Sequence, residues 1–192
     1  MAKTPEPSWS SVSKDDDIEI RLYDPMIIAE VSQKGERYEA INAGFRVLAG
    51  YIFGGNKGEK TLEMTAPVTQ QAQKDAGKKI AMTAPVIQQK TETKDEWKVS
   101  FVMPSEYKLD DLPVPNDPRI KFVPIPAHKK AVIRFSGFNT DANLKEHQEK
   151  LVSWMSKNNI PASGNPVYAF YNPPWTPFFL KRNEIMIDIS GQ

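Results

Sequence analysis

A strand, a proline break, a second strand and an amphipathic helix occur twice in that order along this chain, and the recurrence restricts the fold more than any other feature. In the first half Ile18, Ile20 and Leu22 alternate with Glu19 and Arg21, the period of a half-buried strand, until Asp24-Pro25 interrupts it. Met26 to Val31 follows as a second strand. From Tyr38 the apolar residues Tyr38, Ile41, Phe45, Leu48 and Ile52 fall at steps of three and four, which stacks them on one helix face. In the second half Ile120 to Val123, a Pro-Ile-Pro break, Ala131 to Phe135 and a helix from about Asp141 repeat the pattern. Thr140 is the expected N-cap of that helix, Leu144, Leu151, Trp154 and Met155 are its apolar stripe, and Asn158, Asn159 and Pro161 end it.

Strands also follow each helix. Trp97, Val99, Phe101 and Met103 alternate with polar neighbours after the first, and Val167 to Tyr171 and Glu184 to Ile189 follow the second. Pro104 to Pro118 reads as a long surface connection between halves. The expected fold is therefore α+β: a duplicated strand-helix-strand-strand unit forming a distorted, largely antiparallel β-barrel flanked by two helices. At 192 residues one domain over 16–190 is expected, with pseudo-repeats about 16–103 and 119–190 and a disordered polar tail over 1–15.

Three local features have a sharper and a blander reading. Asp15-Asp16-Asp17 lacks the spacing of a calcium loop and reads as a solvated turn. Gly54-Gly55-Asn56-Lys57-Gly58 follows a helix instead of preceding one, so it reads as a helix stop and not a phosphate cradle. Lys60 to Val68 is answered by Lys78 to Val86, both ending Met-Thr-Ala-Pro-Val. Since proline cannot donate to a ladder, Pro67 and Pro85 are placed at the edges or strand ends of a two-strand hairpin.

Composition narrows the chemistry. Cys 0 removes disulfides, thiolate metal sites and thiol nucleophiles, and a net charge of +1 gives no broad field for nucleic acid. With 2 histidines and no His-Glu-x-x-His helix, nucleophile elbow or phosphate loop, a catalytic constellation is not expected. No apolar run approaches the length that crosses a bilayer. A cytoplasmic monomer without nucleic acid or stable membrane insertion is expected, or an exported protein if an upstream signal has been removed.

Lys78-Lys-Ile-Ala-Met-Thr-Ala-Pro-Val86, the helix ending from Tyr51 to Lys57, Tyr171-Asn-Pro-Pro-Trp-Thr176 and Arg182-Asn-Glu184 together resemble the SOUL haem-binding family, over about residues 16 to 190. The resemblance implies a distorted barrel with two helices and non-enzymatic, exchangeable binding of haem or another tetrapyrrole, as a carrier or buffer. It implies a shallow apolar site between the first helix, Ala43 to Phe53, and the loop Asn172 to Arg182. The implied contacts are Phe45, Leu48, Tyr51, Ile52, Tyr171, Trp175, Phe178 and Phe179, with Lys181 and Arg182 suited to the ring carboxylates. In some members a histidine of the first helix has been proposed as iron ligand, but here that helix has none, which leaves His128 as a weak candidate. The duplicated unit is also similar to effector-sensing domains of regulators, which take cationic aromatic compounds on an acidic group. Protein interaction through the proline-aromatic loop is the third reading.

Overall fold

The structure, a computed structural model, describes residues 5–58, 77–93, 95–173 and 175–190. The strands are β1 (Trp9–Asp15), β2 (Ile18–Tyr23), β3 (Met26–Lys34), β4 (Asn56–Lys57), β5 (Val86–Lys90), β6 (Glu96–Val102), β7 (Val114–Pro115), β8 (Lys121–Ile125), β9 (His128–Phe135), β10 (Ala162–Phe170) and β11 (Asn183–Ile189). Among the described residues there are two α-helices, α1 (Arg37–Ile52) and α2 (Asp141–Lys157). Nine strands form one antiparallel sheet in the order β1-β2-β9-β11-β10-β5-β6-β3-β8, and β4 pairs with β7 separately.

The connection between β2 and β3 dictates the curl. Laid flat, strands six places apart are about 29 Å from each other at about 4.8 Å per strand. Asp24 and Pro25 alone link them, and three peptide units reach about 11 Å. The sheet therefore rolls into a half-barrel, as the expected α+β architecture requires. Leaving out β1, its order is palindromic: exchanging β2 with β8, β3 with β9, β5 with β10 and β6 with β11 reproduces it from the other end.

Alternation sorts the side chains. Ala131, Ile133, Ile185 and Ile187 face outward under α2 with Leu144, Leu151 and Met155, whereas Val132 and Met186 face inward with Tyr23, Val167 and Ala169. Outside the other half, α1 lies on β3 and β6 and buries Leu48, Tyr51 and Ile52 against Ala29, Val31, Val99 and Phe101. Gly44 permits that approach, because a Cβ there would lie 2.6 Å from Val99 Cγ2 and 3.0 Å from Val99 Cβ. Val99 is β-branched and fixed in a strand, so it has little room to yield. Gly44→Ala is expected to lower stability by about 1–2 kcal/mol despite its helix-propensity gain, whereas Gly50→Ala, with nothing within 4 Å, is expected to raise it by about 1 kcal/mol. Urea unfolding of both variants measures the contrast.

Several segments differ from the sequence reading. Trp9–Asp15, expected to belong to a disordered tail, instead form β1, which pairs with β2 from Trp9↔Tyr23 to Asp15↔Ile18. All seven of its residues are exposed, so the pairing is a backbone matter that apolar periodicity does not report. The acidic turn is not simply solvated: Asp15 Oδ2 accepts from Trp154 Nε1 at 2.6 Å and Asp17 Oδ2 from Lys150 Nζ at 2.6 Å, fastening the turn to α2.

Of the paired motifs, Lys60 to Val68 lies outside the described residues. Its partner is not a strand before Val86: Ile80 N–H goes to Ile52 O instead of a ladder. Asn56 explains the helix stop, its amide donating to Tyr51 O at 2.9 Å and Lys78 O at 2.8 Å while its Oδ1 accepts from Lys78 N–H. Pro104 to Pro118 is also more built than a surface loop, holding β7 and giving Pro113 O to the buried Tyr51 hydroxyl. No helix among the described residues is long and apolar enough to cross a membrane.

Candidate functional site

Strand period places Arg182 and Glu184 on one face of β11 and Asn183 on the other. Asn183 donates its side-chain amide to Gly137 O at 3.0 Å, which ties the start of β11 to the turn before α2. Glu184, fully buried, is the centre of an ionic cluster at the mouth of the half-barrel. Its Oε1 receives Nε and Nη2 of Arg182, both at 2.9 Å. Its Oε2 receives Arg21 Nη1 at 3.0 Å and the Tyr171 hydroxyl at 2.6 Å.

Arg21 is itself 4% exposed. Its Nε donates to Glu19 Oε2 at 2.7 Å, and its guanidinium lies 4.0 Å from the centre of the Trp9 ring. Burial works against the charge of Arg21, but the adjacent Glu184 carboxylate overcomes it and holds the guanidinium charged more firmly than in water. Arg182 lies 3.7 Å over the Tyr171 ring and sends its remaining terminal nitrogen, Nη1, to Glu6 Oε2 at 2.8 Å. Burial, with the Glu184 charge second, pushes the Tyr171 hydroxyl up; burial pushes Tyr23 up to about 12. Within this cluster Arg182 and Tyr171 are the two residues that the resemblance names as ligand contacts, whereas strand alternation alone puts Arg21 on a solvated face.

Beside the cluster the loop 172–182 displays apolar rings. Arg182 N–H closes the loop onto Asn172 Oδ1 at 2.6 Å, and Gly137 N–H donates to Phe178 O, which seats the loop against the turn before α2. Phe138 stacks on Phe178 at 5.1 Å, Phe178 meets Phe179 edge-on at 5.5 Å, and Lys181 Nζ stands 5.8 Å from the Phe138 ring centre. These rings are at least half exposed, and Trp175 is 83% exposed. Contiguous exposed apolar patches are enriched at binding surfaces, which makes this one a candidate. Phe179, Leu180, Lys181 and Arg182 continue it into a cleft of about 970 Å³, whose lining also includes Pro5–Ser8, Arg21 and Arg134 together with the acidic Asp16, Asp17 and Glu19. A second cleft, about 710 Å³, lies on the other side of Pro5–Ser8 against Met26, Met103 and Tyr107.

The helix half of the expected site is elsewhere. Leu48, Tyr51 and Ile52 are within 1% of complete burial in the core under α1, and Phe45 packs edge-on against Phe101 at 5.5 Å. Neither cleft is lined by α1. One apolar stripe cannot fill the core and face a ligand together, and here the core takes it. Tyr171 is partly buried within the cluster, leaving Phe178, Phe179, Lys181 and Arg182 as the part that the structure brings together, with Trp175 exposed elsewhere in the same loop.

His128 also lies outside both clefts. It stacks on Tyr23 at 5.8 Å and donates Nδ1–H to Pro126 O at 2.8 Å. His147 stacks on Phe135 at 4.0 Å. Among the described residues no group of three or more His, Asp or Glu converges as a metal centre.

A family model described as SOUL heme-binding protein matches residues 4–76 and 70–188. Among solved structures, the EcmrR C-terminal domain is similar at 12% identity and TM-score 0.63, covering 91% of this chain and 98% of that one. A hydrolase from Listeria innocua is similar at 12% identity and TM-score 0.56, covering 93% and 94%. SAV2435 bound to tetraphenylphosphonium is similar at 10% identity and TM-score 0.50, covering 91% and 94%. Identities this low carry the fold alone. No curated protein matches the chain.

Proposed function

This chain belongs to the SOUL heme-binding protein family, and from that premise we propose that it binds haem or a related tetrapyrrole reversibly and without turnover, as a carrier or buffer. The observation that carries this reading is the exposed shelf of Phe138, Phe178 and Phe179, with Trp175 in the same loop and Lys181 and Arg182 at its inner edge. A flat ring has faces to lay on such a shelf and carboxylates to direct at its basic edge. Burying on the order of 300 Å² of apolar surface contributes roughly 7 kcal/mol, against an association cost of about 4–15 kcal/mol. The balance favours modest, exchangeable binding. The shelf suits the ring and its carboxylates, while neither histidine lines the cleft beside it, so the proposed recognition does not rely on a histidine ligand to iron.

The pairing of Glu184 weighs against two rivals. A cationic effector needs an uncommitted carboxylate, and a general base needs one that can accept a proton. Both oxygens of Glu184 are held by two guanidinium groups and a tyrosine.

Hemin titration followed through the Soret band tests the proposal. Saturable binding is expected for the parent, weakened about fivefold or more by Trp175→Ala and by Lys181→Glu, whose side chains are outside the buried cluster. Linear uptake that ignores both changes would remove the shelf as the site.

A further inference from the structure

Pro5-Glu6-Pro7-Ser8 is the wall that the two clefts share. Few bonds hold it: Ala84 N–H donates to Pro5 O at 2.9 Å, Asp24 N–H to Ser8 O at 3.0 Å, and Arg182 Nη1 to Glu6 Oε2 at 2.8 Å. Pro5 and Pro7 have no amide hydrogen to offer, so the segment cannot extend the β1 ladder. The strand it leads into is exposed throughout and irregular between Ser11 and Ser13. These are the marks of a piece of chain that opens at low cost relative to the core.

The position of Glu6 gives that opening a chemical meaning. Arg182 spends Nε and Nη2 on Glu184, so Nη1 is its outward-facing donor, and a carboxylate already sits on it. That carboxylate is at the inner end of the shelf, beside Phe179, Leu180 and Lys181. We propose that Glu6 is a built-in stand-in for a ligand carboxylate: an amphipathic anion replaces it on Arg182, and the Pro5–Ser8 strap leaves, joining the two clefts. The exchange is one carboxylate for another, so the charge balance of the buried cluster is unchanged. The inference rests on the tetrapyrrole reading and adds to it a competitor within the chain and a hidden extension of the site.

Protoporphyrin IX and its dimethyl ester, titrated into the parent and Glu6→Gln, separate the parts. Removing the competing charge is expected to tighten protoporphyrin binding about fivefold, the factor that a partly exposed ion pair represents. The ester, which has no carboxylate for Arg182, is expected to bind both proteins alike. Amide exchange at Asp24 and Ala84, the two strap donors, is expected to rise when protoporphyrin binds. Equal protoporphyrin affinities for parent and variant, or amides that stay protected in the complex, would overturn the strap while leaving the carrier reading intact. If the parent takes up neither porphyrin saturably, the carrier reading falls, and exchange in ligand-free Glu6→Gln decides the strap: unchanged protection at Asp24 and Ala84 overturns it.

Discussion

Glu184→Ala is expected to cost about 3–5 kcal/mol of stability, because it removes the fully buried carboxylate that two guanidinium groups share. Arg21 is 4% exposed and is held by Glu184 on one side and Glu19 on the other. Without Glu184 its guanidinium must either lose a strong ionic hydrogen bond in a low-dielectric setting or draw water into the half-barrel. The Tyr171 hydroxyl and two nitrogens of Arg182 lose the same acceptor. For a chain of this length the loss corresponds to a fall in Tm on the order of 10 °C. Urea unfolding of the ligand-free protein measures it.

The size of that effect also separates two roles for the residue. A carboxylate kept for catalysis is commonly a source of strain, so its removal tends to leave stability unchanged or improved. A carboxylate that bridges two arginines leaves a deficit when removed. A change below about 1 kcal/mol, the usual figure for exposed pairs, would mean that the cluster is solvated and that Glu184 is available for other work.

The elements of this fold announced themselves where burial is one-sided. Tyr38 to Ile52 and Leu144 to Met155 carry helical steps, and β3, β6, β9 and β11 carry apolar residues that the core needs. β1 could not be read this way, since Ser10-Ser11-Val12-Ser13 buries nothing and pairs through its backbone. Arg21 was misplaced for a related reason. Alternation assigns charge to solvent, but in a curled sheet the second face is also an interior. The partner that makes Arg21 tolerable there is 163 positions away in sequence, beyond any local pattern. The loop 172–182 was readable because prolines and unpaired aromatic bulk in one turn imply exposure, whereas the share of α1 in the site rested on resemblance and gave way to packing against Val99 and Phe101. Duplication itself is a proposal that the palindromic strand order motivates.

Alkaline pH provides the second large effect. Burial pushes the hydroxyls of Tyr23, Tyr51 and Tyr171 up, Tyr23 from 10.0 to about 12 and the other two further. Below about pH 10 folded and unfolded chains both hold these protons, and nothing is lost. Above it the unfolded chain releases them while the folded chain keeps them, so the unfolded state binds fewer protons and stability falls as pH rises. Each such tyrosine costs about 1.4 kcal/mol per pH unit, or together roughly 4 kcal/mol per unit between pH 10 and 12. For Tyr23 alone the loss across that window is about 3 kcal/mol. Domains of ordinary stability hold about 5–15 kcal/mol, so the chain is expected to unfold within this window before Tyr171 titrates in place. Phenolate absorbance at 295 nm should then show the buried tyrosines ionising in one cooperative step, coincident with loss of the near-ultraviolet circular dichroism. Smooth titration of every tyrosine near pH 10 with the fold intact would mean that Tyr23 and Tyr171 are solvated, and the closed mouth of the half-barrel would go with them.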